Sequence, residues 1–348
     1  MVTTLSGPGT GQPLLGPALP EPRGPLSAAV VAALARPPSP PRSVGAAALP
    51  IARAERAEPY GEDLQLALYT CYELHYRGFG GVDGGWEWDP ELLRLRGALE
   101  RVFGSAVRAD AGGGDLEAEL DALLVEPVDG VGVSHHLRDV GQWWQMREYF
   151  AHRSVYQLKE ADPHAWAIPR LTGQAKAALV AVEFDEFGGG RGERVHAQLY
   201  ADLLAGAGLD SGYGHYLDAV PAVTLATVNL MSLLGLHRSL RGALVGHFAA
   251  AEITTAPSAR RMVRALERLG ADEACVRFYA EHIVADAVHE QVMRREVIGD
   301  LLEREPELTD DVVFGIRATL LLEGRLGEHL LDAWGAGRSS LRRALPGG

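Results

Sequence analysis

The sequence predicts an all-α protein, and two observations carry that reading. From Glu62 onward, apolar residues recur at the spacing of helix faces. No stretch alternates polar and apolar residues well enough for a half-buried strand, and no internal repeat is present.

Taken in order, residues 1–58 are rich in Pro, Gly and Ala, with runs such as "RPPSPPRS". Such a composition buries too little apolar surface to offset ordering entropy, so a disordered N-terminal arm is expected. An N-terminal helical layer is expected over 59–135 and a larger helical domain over 136–345. Periodicity places helices at 61–78, 90–105, 115–125, 137–161, 169–187, 191–207, 221–253, 257–269, 271–304 and 307–334. The 221–253 stretch is expected to break near Gly235. "GFGGVDGGWEWDP" (78–90) reads as a loop with aromatic anchors, and "RADAGGGD" (108–115) as another.

Composition narrows the function classes. The 348 residues can bury a sizeable core. A net charge of −13 argues against a nucleic-acid or anionic-membrane partner. Two cysteines, Cys71 and Cys275, suit a reducing cytoplasm and exclude a cysteine-built zinc or iron–sulfur site within the chain. The N-terminus lacks a basic start and a compact apolar core, so no secretory signal is expected. "AVPAVTLATVNLMSLLGL" (219–236) is uncharged but contains Pro221 and Asn229. It is expected to be a buried core helix rather than a membrane span.

The stretch "FYAEHIVADAVHEQV" (278–292) carries the chemistry. On an ideal helix, Asp286 falls about 40° and His289 about −20° from His282. All three lie on one face, flanked by Tyr279, Ile283 and Met293. Two imidazoles and a carboxylate aimed into a core need a partner, and a metal ion is the simplest one. Candidate ligands upstream are Glu160 in "YQLKEADPH", Glu186 in "AVEFDEFGGG", His196 in "RGERVHAQLY" and Glu252 in "GHFAAAEITT". Helix bundles that hold two cations draw on such carboxylate and imidazole sets. Glu193 with His196 would form a Glu-x-x-His pair on a continuous helix. Glu186 is the alternative if Gly188, Gly189, Gly190 and Gly192 break that helix.

The HxxxDxxH pattern, with "LKEADPH", "DEFGGGRGERVH" and "NLMSLLGLHRSLRGALVGHFAAAE" before it, resembles the haem-oxygenase-like diiron oxidases. Within them it is similar to the iron-containing redox enzymes and to the diiron domains of N-oxygenases that build N-nitrosoureas. The resemblance covers about residues 140–340. It implies a haem-oxygenase-like helical bundle binding two iron ions, with O2 as co-substrate. It implies Glu160, Glu186, His196, His282, Asp286 and His289 as metal ligands. Glu252 matches a further, catalytic glutamate that can swing onto iron when oxygen binds. The implied activity is oxidation of a small organic substrate, amine or amino-acid-like, in specialised metabolism. An external electron donor and a homodimer also belong to that implied picture. An alternative from another class is an iron-binding, ferroxidase-type bundle with no organic substrate.

The remaining titratable residues read as structural. His247, His135 and His136 are expected to be structural or exposed, and Trp143 and Trp144 to be core. Glu73 with Arg77 reads as an ordinary i,i+4 pair. A metal-free enzyme of the same fold would need a cysteine nucleophile, and nothing in the sequence pairs Cys275 with a base.

Overall fold

The computed structural model describes residues 16–38, 49–125 and 130–345, without the side chains of 284–288. The described residues contain helices and no strand. Short polar residues start several of them. Asp89 accepts from the backbone N–H of Glu91 and Leu92, with Pro90 at the first position, and opens α4 (Pro90–Ala111). Asp115 accepts from Ala118 N–H and opens α5 (Leu116–Leu124).

Three more helices lead to the centre of the bundle. They are α3 (Glu62–Glu73), α7 (Trp143–Gln157) and α9 (Gly173–Glu186). Then follow α10 (His196–Gly206), α11 (Ala222–Leu236), α12 (Arg241–Leu269) and α13 (Glu273–Gln291). A π-helical stretch, Val292–Ile298, joins α13 to α14 (Gly299–Arg304), and α15 (Thr309–Gly335) closes the fold. Short helices α1 (Pro25–Leu34), α2 (Ile51–Ala54), α6 (Val133–Asp139) and α8 (Asp162–Ala165) fill the remaining gaps. Helix α12 lies against both α13 and α15, α10 against α13, and α9 against the π-helical stretch. These contacts bring α9, α10, α12 and α13 around one interior. One apolar cluster runs from Leu26 and Leu68 to Leu179, Phe248 and Val312, so the N-terminal helices share a core with the bundle.

Several expectations meet a different structure. Part of the arm, 1–15 and 39–48, lies outside the described residues. Its described parts are folded. Leu26, Val30 and Leu34 of α1 repeat every fourth residue and are at most 2 % exposed against α3. Composition averaged over the arm hid this stripe. The helix start is held from a distance: Asp63 accepts from Leu26 N–H at 2.9 Å, and from Ser27 N–H and Oγ at 2.7 Å each.

Second, α12 continues through Pro257 where a break was expected after 253. Proline removes one backbone donor. The inward residues Glu252, Ile253, Ala256, Ala259 and Met262 stay buried on both sides of it, and packing outweighs that loss. The break near Gly235 is present, with α11 ending at Leu236 and α12 starting at Arg241. A Cβ on Gly235 would lie 2.6 Å from the carbonyl oxygen of Pro163, so the backbone of α8 requires glycine there.

Third, Glu73 does not form a side-chain pair with Arg77. Its Oε2 meets Lys159 Nζ at 2.9 Å. Trp143 and Trp144 are half-buried rather than core. Among the described residues, no helix is long and apolar enough to cross a membrane. In α11, the Asn229 amide donates to the Gln65 carbonyl and side-chain oxygen, which satisfies its buried donor group.

Candidate metal centre

Helix α9 ends at Glu186 and α10 begins at His196. Between them Gly188, Gly189 and Gly190 take φ of 72°, 61° and 78°, which side-chain-bearing residues rarely adopt. A Cβ on Gly188 would also lie 2.6 Å from the Arg194 backbone. The turn lets both Glu186 and His196 point inward, at 3 % and 4 % exposure, while Glu193 is exposed.

Two groups of buried ligand-type atoms result. Glu160, His196 and His282 form one, and Glu186, Glu252 and His289 form the other. Within each group the atoms lie within 4.8 Å of one another. Glu186 stands between the groups. Its Oε2 is 2.6 Å from His196 Nδ1, and its Oε1 is 3.7 Å from His289 Nδ1. The His196 and His282 rings are 4.3 Å apart between centroids. His282 Nε2 is 3.9 Å from Glu160 Oε2. The Gln157 amide nitrogen, in the orientation its neighbours require, donates to the Glu160 oxygens at 3.2 and 3.3 Å. Asp286 is on α13, but its side chain lies outside the described residues.

The donor atoms fit a cation. His282 Nδ1–H donates to the Phe278 carbonyl at 2.7 Å, so Nε2 carries the lone pair. That Nε2 is buried with no hydrogen-bond partner. His196 Nδ1 is likewise unpartnered, because its close approach to Glu186 lacks hydrogen-bond geometry. Unmade bonds at buried polar atoms are costly, and a metal ion removes that cost. Mixed nitrogen and oxygen ligation suits iron.

Electrostatics agree with that reading. Burial, then the neighbouring His196, pushes His282 down to about 4. Burial likewise lowers His196 to about 4. Both are therefore neutral and able to ligate. For His289, burial acts downward, but the hydrogen bond and charge of Glu252, then Asp185 and Glu186, outweigh it and hold it at about 9. Burial raises Glu186, and burial with the charge of Glu186 raises Glu252. A cation would relieve this crowding of carboxylates.

Sequence reasoning gave no role to three neighbours, Asp185, Glu183 and Tyr156. Asp185 Oδ2 lies 3.1 Å from His289 Nε2. Glu183, one turn before Glu186, is 2 % exposed with both carboxylate oxygens unpartnered. Burial, then Glu186, Glu252 and Asp162, raises it to about 9. Its i,i+3 spacing to Glu186 was the available signal. Tyr156 faces the same carboxylates: burial, then Glu160, Glu186, Glu252 and Glu183, push its hydroxyl well above the usual range. Its oxygen is 3.4 Å from His164 Nδ1. Cys275 is fully buried, contacts the Leu203 carbonyl, and is pushed up to about 11 by burial, which disfavours a thiolate.

Fold and side chains together define an all-α protein built around a carboxylate–imidazole centre. The family model of the iron-containing redox enzymes matches residues 147–324, more than half of the chain, and the chain belongs to that family. It is an oxidoreductase of the haem-oxygenase-like fold whose chemistry depends on iron. The matched span contains Glu160, Glu186, His196, Glu252, His282, Asp286 and His289. No curated protein matches the chain.

Proposed function

We propose that this protein is a non-haem diiron oxidase or oxygenase that uses O2 to oxidise a small amine or amino-acid-like substrate. The observation that carries the dinuclear reading is Glu186, which turns one carboxylate oxygen toward each ligand group. Glu160, His196 and His282 would hold one iron ion. Glu186 and His289, with Asp286 on the same helix as His289, would hold the other. Glu252 is the movable carboxylate beside it.

When bound, the two ferrous ions supply reducing equivalents for O2. The chain's own part is positional. The Phe278 carbonyl orients His282, and Gln157 orients Glu160. Phe278, Tyr200 and Phe248 are at most 2 % exposed and keep water from the surrounding interior. Glu183 and Tyr156 are buried beside the carboxylates and can each hold a proton there.

Oxygen uptake by Fe(II)-loaded protein, measured against a panel of small amines, amino acids and fatty acids, tests the proposal. Uptake stimulated by an amine, with an oxidised product by mass spectrometry, is the expected result. Uptake that no organic compound changes, with a shell-sized particle on gel filtration, would instead indicate an iron-storage bundle.

A further inference from the structure

Asp185 precedes Glu186 at the end of α9, yet the two carboxylates meet His289 on opposite sides. Asp185 Oδ2 is 3.1 Å from His289 Nε2. His289 Nδ1 is 2.8 Å from Glu252 Oε2 and 3.7 Å from Glu186 Oε1. The imidazole is 2 % exposed, whereas the Asp185 side chain is 57 % exposed. The ring therefore spans from a solvent-facing carboxylate to the buried ligand group.

Resting on the dinuclear reading, we propose that Asp185 is a positioning residue that selects the nitrogen His289 offers to a metal ion. A neutral imidazole carries one N–H, and an ionised carboxylate can only accept. In the metal-free chain each ring nitrogen can donate to a carboxylate, Nε2 to Asp185 and Nδ1 to Glu252. A cation among the buried ligand atoms would displace the inner proton, leaving the one remaining N–H on Nε2, held by Asp185, and the Nδ1 lone pair beside Glu186 and Glu252. His282 is set the opposite way: the Phe278 carbonyl takes its Nδ1–H and leaves Nε2 free. Two imidazoles two turns apart on one helix therefore present different atoms, because a backbone carbonyl orients one and a carboxylate the other. The sequence offers the means for this. Neighbouring residues on a helix diverge by about 100°, so Glu186 reaches inward while Asp185 skirts the outer edge of the ring. A carboxylate on the far nitrogen also makes the ligating nitrogen more basic.

The test uses the full chain loaded with Zn(II), a diamagnetic probe, and long-range 1H–15N correlation spectra of the imidazoles. His289→Gln identifies the His289 signals. The parent is expected to show His289 coordinated through Nδ1 with a protonated Nε2. Asp185→Ala is expected to keep its circular dichroism and to bind the weaker metal equivalent about 10- to 100-fold less tightly in chelator competition. Asp185→Asn retains an accepting oxygen, so it should keep the Nδ1 pattern with intermediate affinity. Coordination through Nε2 in the parent would overturn the proposal, as would an Asp185→Ala affinity within about twofold of the parent. A parent that binds neither Zn(II) nor iron refutes the centre itself. One that binds metal through Nε2 refutes the Asp185 assignment alone.

Discussion

Lys159 Nζ lies 2.9 Å from Glu73 Oε2, and neither side chain is more than 1 % exposed. Tyr213 OH donates to the other Glu73 oxygen at 2.6 Å. The ammonium also faces the rings of Tyr69 and Tyr76. Lys159 precedes Glu160, so this pair ties α3 to the segment that carries a candidate ligand. Removing one partner strands a buried charge. Glu73→Gln is expected to cost about 3–5 kcal/mol in urea unfolding. The double variant Glu73→Leu, Lys159→Met should recover much of that loss. A Glu73→Gln protein as stable as the parent would show that the pair holds nothing together.

Helix α1 supplies a second test. Leu34 is 1 % exposed in the shared core. Leu34→Ala is expected to lower stability by about 2–5 kcal/mol. Asp63→Ala removes the acceptor for two α1 backbone N–H groups and should cost about 1 kcal/mol. A truncation that begins at Pro59 removes Leu26, Val30 and Leu34 together and should melt well below the full chain. An unchanged melting temperature would return α1 to the status of a dispensable arm.

The pH dependence of the metal-free protein should report on Glu183. Its folded value of about 9 stands above the ordinary 4.5 because burial and like charges disfavour the carboxylate. The folded state therefore binds the proton more tightly than the unfolded state. The resulting stability is present below about pH 4.5 and is lost as pH rises toward 9. Glu183→Gln carries no such loss. In chelator-treated samples it should melt higher than the parent at pH 8.5, and the gap should narrow toward pH 5. A gap that widens on acidification has the wrong sign for this account.

Among the ligand candidates, His289→Ala is expected to lose at least one iron per chain, and Glu193→Gln to lose none, since Glu193 is exposed. Glu252→Ala should load Fe(II) to near the parental level yet react with O2 more slowly, as fits a carboxylate that moves during the reaction. Elemental analysis and oxygen uptake together separate these outcomes. Iron loss in the Glu252 variant would make Glu252 a permanent ligand.

Much of this was legible in the sequence. The 3.6-residue rhythm exposed the long helices because one face of each is buried, and the imidazoles of α13 stood out on an inward face. The glycines before His196 signalled the break between α9 and α10. What stayed hidden depends on distance in space. Asp185 has no periodic relation to His289, and Lys159 meets Glu73 across 86 positions. The α1 stripe was masked by surrounding Pro and Ala. Pro257 misled because a proline inside a well-packed helix looks, in sequence, like a helix end.

Anaerobic titration of the metal-free protein with Fe(II), read as bound iron per chain, decides whether the centre is dinuclear. Saturation is expected at two ions, followed on mixing with O2 by oxidation of both. Saturation at one ion, or no specific binding, would contradict a dinuclear centre.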